Sequence, residues 1–180
     1  MVEAKKQFCV QCGGQLDEYG RKLPVIQPDG FPVPSLAADN IVVRANKADP
    51  KLQEILLIKR GREGDYFKGK LAFPGGRVNY GEDPAVGCLR ELEEECALKV
   101  KPGTKPKMLG VYGDPKRDPR GHIVSVVYIV QVDENAVPKA GDDAAEAHFM
   151  LLNDVLKTPE MFAFDHAKIL QDYVAYCSKH

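Results

Sequence analysis

The sequence predicts a mixed layer fold, α/β or α+β, from three observations: strand-like runs lead into a helix, further strands lead into a second helix, and the length suits one core. With 180 residues, 44% hydrophobic and 28% charged, the chain can bury one substantial core but not two. Residues 1–34, rich in Gly and Pro, read as an irregular N-terminal arm, and 35–180 as the single folded domain.

From Leu36 the patterns become regular. Ala38 to Ala45 and Gln53 to Arg60 are apolar, partly β-branched runs separated by the turn-prone Asn46-Lys47-Ala48-Asp49-Pro50, so they predict a two-stranded hairpin. The Gly- and Pro-rich stretch Leu71 to Gly76 follows as a loop. Asp83 then suits a helix cap and Pro84 the first helical position, and helical spacing continues to about Ala97. Met108 to Tyr112 and His122 to Val132 read as strands joined by the polar loop Gly113 to Gly121. The acidic loop Asp133 to Asp143 leads to a strand near Ala147 to Leu151. A last helix is expected over Asp165 to Ser178, with Ile169, Tyr173 and Tyr176 at helical spacing.

Composition removes several function classes. The 25 Lys plus Arg against 26 Asp plus Glu leave a net charge of -1, without the positive field that holds nucleic acid by counterion release, and no nucleic-acid partner is expected. The longest apolar runs, Ile55 to Ile58 and Ile123 to Val130 (broken by Ser125), fall far short of the roughly 20 residues of a membrane span. No signal peptide or lipid anchor is readable in Met1 to Gln7. The five cysteines form an odd, scattered set, expected as reduced thiols in a cytoplasm, with Cys88 and Cys96 packing as small hydrophobes.

The first helix carries the chemistry. At about 100° per residue, Glu91, Glu94 and Glu95 form one stripe, read as solvent-facing, beside a core face of Ala85, Cys88, Leu89, Leu92 and Cys96. Like charges at this spacing weaken a helix unless something offsets them, and hard Mg²⁺ or Mn²⁺ does so through carboxylate oxygens. A solvated acidic face is the plain alternative. The surroundings favour the metal: Gly75-Gly76, then Glu82, then Arg90-Glu91-Leu92-Glu93-Glu94-Glu95.

With Gly76, Glu82, Arg90, Glu91, Leu92, Glu94, Glu95 and Leu98 in register, the chain resembles the Nudix hydrolases. It departs from their signature at Ala97, where the family usually has Gly. The resemblance implies an α/β/α sandwich around a mixed sheet and hydrolysis of a diphosphate linked to another moiety. It also implies Glu91, Glu94 and Glu95, with the carbonyl of Gly75 or Gly76, as ligands of Mg²⁺ or Mn²⁺. Arg90 and Glu82 are supporting residues on this reading, and Glu94 or Glu146 is the candidate general base.

Substrate choice is sought outside this box. Lys101 to His122 holds six Lys plus Arg against two Asp, a basic segment suited to a pyrophosphate. Asp118-Pro119-Arg120-Gly121-His122 and Phe164-Asp165-His166 resemble the ADP-ribose pyrophosphatase branch. Arg120, Arg117, Lys116, His122 and Arg60 are therefore expected at the substrate, ADP-ribose or a related nucleoside diphosphate sugar. Alternatives are an NADH-type pyrophosphatase and a non-catalytic ADP-ribose-binding regulator. Cys9-Val10-Gln11-Cys12-Gly13 resembles half of a zinc ribbon, but no second Cys pair follows, so no structural zinc is expected. The branch also implies a homodimer, to which the N-terminal arm can contribute.

Overall fold

The computed structural model describes residues 7–8, 15–16, 25–26 and 32–179, apart from 62, 102, 142 and 143. Within the first 34 residues, two-residue strands pair as β1 (Gln7–Phe8) with β2 (Gln15–Leu16) and β3 (Val25–Ile26) with β4 (Pro32–Val33). Cys9 and Cys12 lie outside the described residues.

The expected hairpin forms as β5 (Ser35–Ala45) and β6 (Gln53–Arg60), with Val43 opposite Ile55 and Ala45 opposite Gln53. Alternation along both strands decides the layers. Ile41, Val43, Ile55 and Leu57 enter a core with Phe73, Ile169, Leu170 and Tyr173, whereas Val42, Leu56 and Ile58 enter one with Leu92, Cys96 and Leu98. The sheet is apolar on both faces, so each face needs a helical cover. α1 (Pro84–Cys96) covers one and α3 (His166–Cys177) the other, giving a helix–sheet–helix sandwich.

Strand order is β11 (Ala144–Leu151), β6, β5, β10 (Ile123–Gln131), β9 (Lys107–Tyr112). β10 runs parallel to β5, and the other pairings are antiparallel, so the sheet is mixed.

Two short strands were not expected. β7 (Leu71–Ala72) pairs with the far end of β6, and β8 (Gly75–Arg77) pairs with Ala37–Asp39 of β5. The β5–β6 ladder covers only Val43–Ala45 and Gln53–Ile55; beyond it the two strands take these separate partners, with Pro74 between them. Pro and Gly normally argue against strand, which hid both elements from a reading by local preference. The one-turn helix α2 (Leu152–Val155) and a 3-10 turn at Pro159–Met161 also lacked a periodic pattern. Among the described residues, no helix is long and apolar enough to cross a membrane.

Candidate active site

α1 begins as the sequence predicts. Asp83 accepts the Ala85 N–H at 2.7 Å, and Pro84 occupies the first turn, where its missing N–H costs nothing. The helix ends at Ala97, in the left-handed region at φ 51°, with its N–H on the Glu93 carbonyl. Two further carbonyls are taken by a crossing loop: Gly141 N–H donates to Glu95 O and Lys139 N–H to Cys96 O, both at 2.9 Å. A side chain at Gly141 is excluded, since its Cβ would stand 2.1 Å from the Glu94 carbonyl oxygen.

This anchoring sets the carboxylates against β8. Glu95 accepts the Gly75 N–H at 2.9 Å and is only 9% exposed, so it is not on the solvent-facing stripe expected for it. The helix wheel missed this because β8 closes over that face. Burial raises the Glu95 pKa to about 8, with Glu91 and Asp39 adding in the same direction. Glu91, half-buried, is also pushed up by burial. Gly76 makes room for it: a Cβ there would lie 2.5 Å from the Glu91 carboxyl.

Arg90 ties the box together. Its guanidinium donates to Glu82 at 2.9 and 3.0 Å, to Glu91 at 2.8 Å, to Glu94 at 2.9 Å and to the Arg77 carbonyl at 2.9 Å. Glu82 also accepts the Asn79 N–H, and the Arg90 pair holds its pKa at about 2. Cys88 and Cys96 are buried, and burial pushes their thiols to about 12, as expected of structural cysteines. Glu146 is exposed on β11, where it pairs with Lys59 at 3.0 Å and lies 3.5 Å from His148; the Lys59 bond lowers its pKa.

The basic loop meets the tail motif beside this box. Ala163 N–H donates to the Leu71 carbonyl at 2.8 Å, and Phe73 N–H to His166 Nδ1 at 3.0 Å, so Phe164 and Asp165 are delivered along the edge of β7. Arg117, expected at the substrate, is engaged by carboxylates of the fold. Its side chain is 4% exposed and grips part-exposed Asp165 at 2.7 to 3.0 Å, with buried Asp39 at 3.9 Å, because two adjacent carboxylates offer it more than solvent does. Arg120 forms a fork on buried Asp118 at 3.0 and 2.7 Å while remaining part-exposed, 4.9 Å above the Phe164 ring. Arg60 bonds Asp65 and lies 5.1 Å from that ring, so the two cations share one aromatic. Lys116 is exposed, and the exposed His122 ring meets the Gly113 carbonyl at 3.2 Å.

Sequence reasoning missed Asp39, Asn40 and Asp65, and gave Phe164 only as part of the tail motif, with no role of its own. Asp39 is buried and accepts the Ser125 hydroxyl; Asn40 Nδ2 donates to Pro74 O and Cys88 O, and its own oxygen has no partner among the described residues. A signal was present: Asp39-Asn40 interrupts the apolar run Ala37 to Val43, as Ser125 interrupts that of β10. Buried polar pairs in a strand need partners, and those of Asn40 lie at the box.

The donor set suits a divalent cation of oxygen preference. Two partly or fully buried carboxylates one turn apart, both held above their ordinary pKa, lie against Gly75 and Gly76, and the absent side chain of Gly76 leaves the Glu91 carboxyl space. Among the described residues, no three His, Cys, Asp or Glu side chains yet converge on one point: Glu91 and Glu94 turn oxygens to Arg90, and Glu95 turns one to Gly75.

Comparison with known proteins agrees. The model of the NUDIX domain matches residues 35–173. An ADP-ribose pyrophosphatase of Methanocaldococcus jannaschii is 45% identical over 145 residues, spanning 79% of this chain and 75% of that protein. An ADPR responsive transcriptional repressor, NtrR, of Acinetobacter baylyi is 27% identical over 83% of this chain, which spans 56% of that relative's length. The NUDIX domain of Shewanella oneidensis NrtR, solved with ADP ribose, superposes with a TM-score of 0.70 at 25% identity, over 84% of this chain and 93% of that one.

Proposed function

The chain belongs to the Nudix family, and from that premise we propose that it hydrolyses the diphosphate bond of ADP-ribose, releasing AMP and ribose 5-phosphate. The observation that carries this reading is the box, retained apart from Ala97, with Glu91 and Glu94 held by Arg90 and Glu95 by the Gly75 N–H, in a chain 45% identical to an ADP-ribose pyrophosphatase.

Glu91, Glu94 and Glu95, with the Gly75 and Gly76 carbonyls, would hold Mg²⁺ or Mn²⁺. Such an ion neutralises diphosphate oxygens and lowers the pKa of a bound water. Arg90 fixes the carboxylate rotamers by spanning Glu82, Glu91 and Glu94, so their positions do not have to be found anew when charge arrives. Arg120 and Arg60, each anchored on a carboxylate and stacked toward Phe164, are the groups suited to grip the diphosphate, with Lys116 and His122 on the neighbouring loop. Of the two base candidates, Glu94 is favoured, because it shares Arg90 with Glu91 whereas Glu146 is engaged by Lys59.

A second reading, ADP-ribose binding without hydrolysis, draws on the repressor relative and on the ADP-ribose complex of the Shewanella domain. Nucleoside monophosphate release with Mg²⁺, as AMP from ADP-ribose and NADH and as GMP from GDP-mannose, measured side by side, separates these cases. ADP-ribose should give the highest kcat/KM. Tight ADP-ribose binding without AMP would support the regulator, and faster turnover of NADH the dinucleotide pyrophosphatase.

A further inference from the structure

We propose that His166 is a positioning residue for the metal-carrying loop, holding Phe73 to Gly76 in register so that the Gly75 N–H meets Glu95. The inference rests on the metal reading of the box. His166 lies at the first residue of α3, remote in sequence from every box residue, and is 2% exposed. Its Nδ1 accepts the Phe73 N–H at 3.0 Å, and its ring stacks on the Phe73 ring with centroids 4.8 Å apart and planes 18° from parallel. Because Nδ1 is the acceptor, the neutral ring carries its hydrogen on Nε2. That nitrogen faces Asp39 Oδ2 at 3.8 Å.

Asp39 closes the circuit. It accepts the Ser125 hydroxyl, and it packs on the loop so tightly that a Cβ on Gly75 would lie 2.5 Å from its Oδ1. Between these two contacts, the Pro74 carbonyl accepts both the backbone and the side-chain N–H of Asn40, at 2.8 and 3.2 Å. Phe73, Pro74 and Gly75 are thus each fixed by a group from outside the signature: His166, Asn40 and Asp39 in turn. Of the three, His166 alone comes from beyond the sheet, and its hydrogen bond reaches the main chain two residues before the N–H that orients Glu95. Groups that orient metal-bound side chains commonly change affinity by about 10- to 100-fold when removed.

Two substitutions separate positioning from packing. His166→Phe keeps the ring and its stack but removes the acceptor; His166→Asn carries an oxygen the same number of bonds from Cα as Nδ1, but loses the ring. Mn²⁺ binding by electron paramagnetic resonance is measured alongside thermal melting, with wild type and Glu95→Gln as references. The expected result is Mn²⁺ affinity about 10-fold weaker in His166→Phe and within about 2-fold of wild type in His166→Asn, although His166→Asn melts lower. Equal affinities in both variants, or affinities that follow melting temperature, overturn the inference. Should His166→Phe not fold, His166→Ala replaces it as the acceptor-free partner of His166→Asn, with the same ordering expected. If wild type and Glu95→Gln bind Mn²⁺ equally, the metal reading fails and this inference with it; if only Glu95→Gln is weakened, this inference alone fails.

Discussion

At the residue scale, Glu95 joins two opposed demands. Its carboxylate is needed at the box, yet it is 9% exposed and its pKa stands at about 8. A folded pKa above the unfolded value means that its contribution to stability is fully present below about 4.5 and is lost as pH rises through about 8. Glu95→Gln keeps an acceptor for Gly75 N–H without the charge, so the metal-free variant should melt above wild type by a margin that widens from pH 5 to 8. Its turnover should fall at least about 10²-fold, because the missing charge acts mainly in the transition state. A variant with normal turnover would remove Glu95 from the metal site. Arg120 is the second test. Its fork on Asp118 is a loop clamp, and its part-exposed guanidinium above Phe164 is also open to a ligand. Arg120→Ala should lower kcat/KM by about 1.5–3 kcal/mol in transition-state terms and lower the melting point, since Asp118 loses its partner; Arg120→Lys should retain part of both. A lower melting point with unchanged kcat/KM rejects the phosphate role and leaves the clamp.

At the scale of elements, the exit of α1 makes its own prediction. Ala97 adopts φ 51°, a conformation that costs an L-residue about 1–2 kcal/mol and glycine little. Ala97→Gly should raise the melting temperature slightly with activity unchanged, whereas Gly141→Ala should lower it, as its Cβ has backbone 2.1 Å away. Differential scanning calorimetry of the pair checks both signs. α1 itself was legible in the sequence, from Asp83 and Pro84 through the spacing of Cys88, Leu92 and Cys96, and so were the box glutamates and Arg90. What was not legible depended on elements meeting late in the chain. The burial of Glu95 depends on β8, whose Gly75-Gly76 reads as loop, and the role of Arg117 depends on Asp165, which is 48 residues away. Local preference carries no information about either.

At the scale of the molecule, a helix–sheet–helix sandwich with one acidic site should respond to metal as a whole. An ion that binds only the folded state adds about 2.7 kcal/mol at 100 times its dissociation constant, which for a chain of 180 residues is several degrees in melting temperature. Mg²⁺ should raise the wild-type melting point and leave that of Glu95→Gln nearly unmoved; equal shifts in both would mean that the ion acts elsewhere. The contact between β7 and the tail also bears on motion. Ala163 N–H on Leu71 and Phe73 N–H on His166 join the tail to the box loop through two amides, beside the packing of Phe73 on His166 and on the last helix. Local opening proceeds in cooperative units, so these two amides should exchange their hydrogens for deuterium at one common rate, set by the detachment of α3. Each such detachment would also free the loop beside Glu95, which gives the far end of the chain control over how long the site stays assembled.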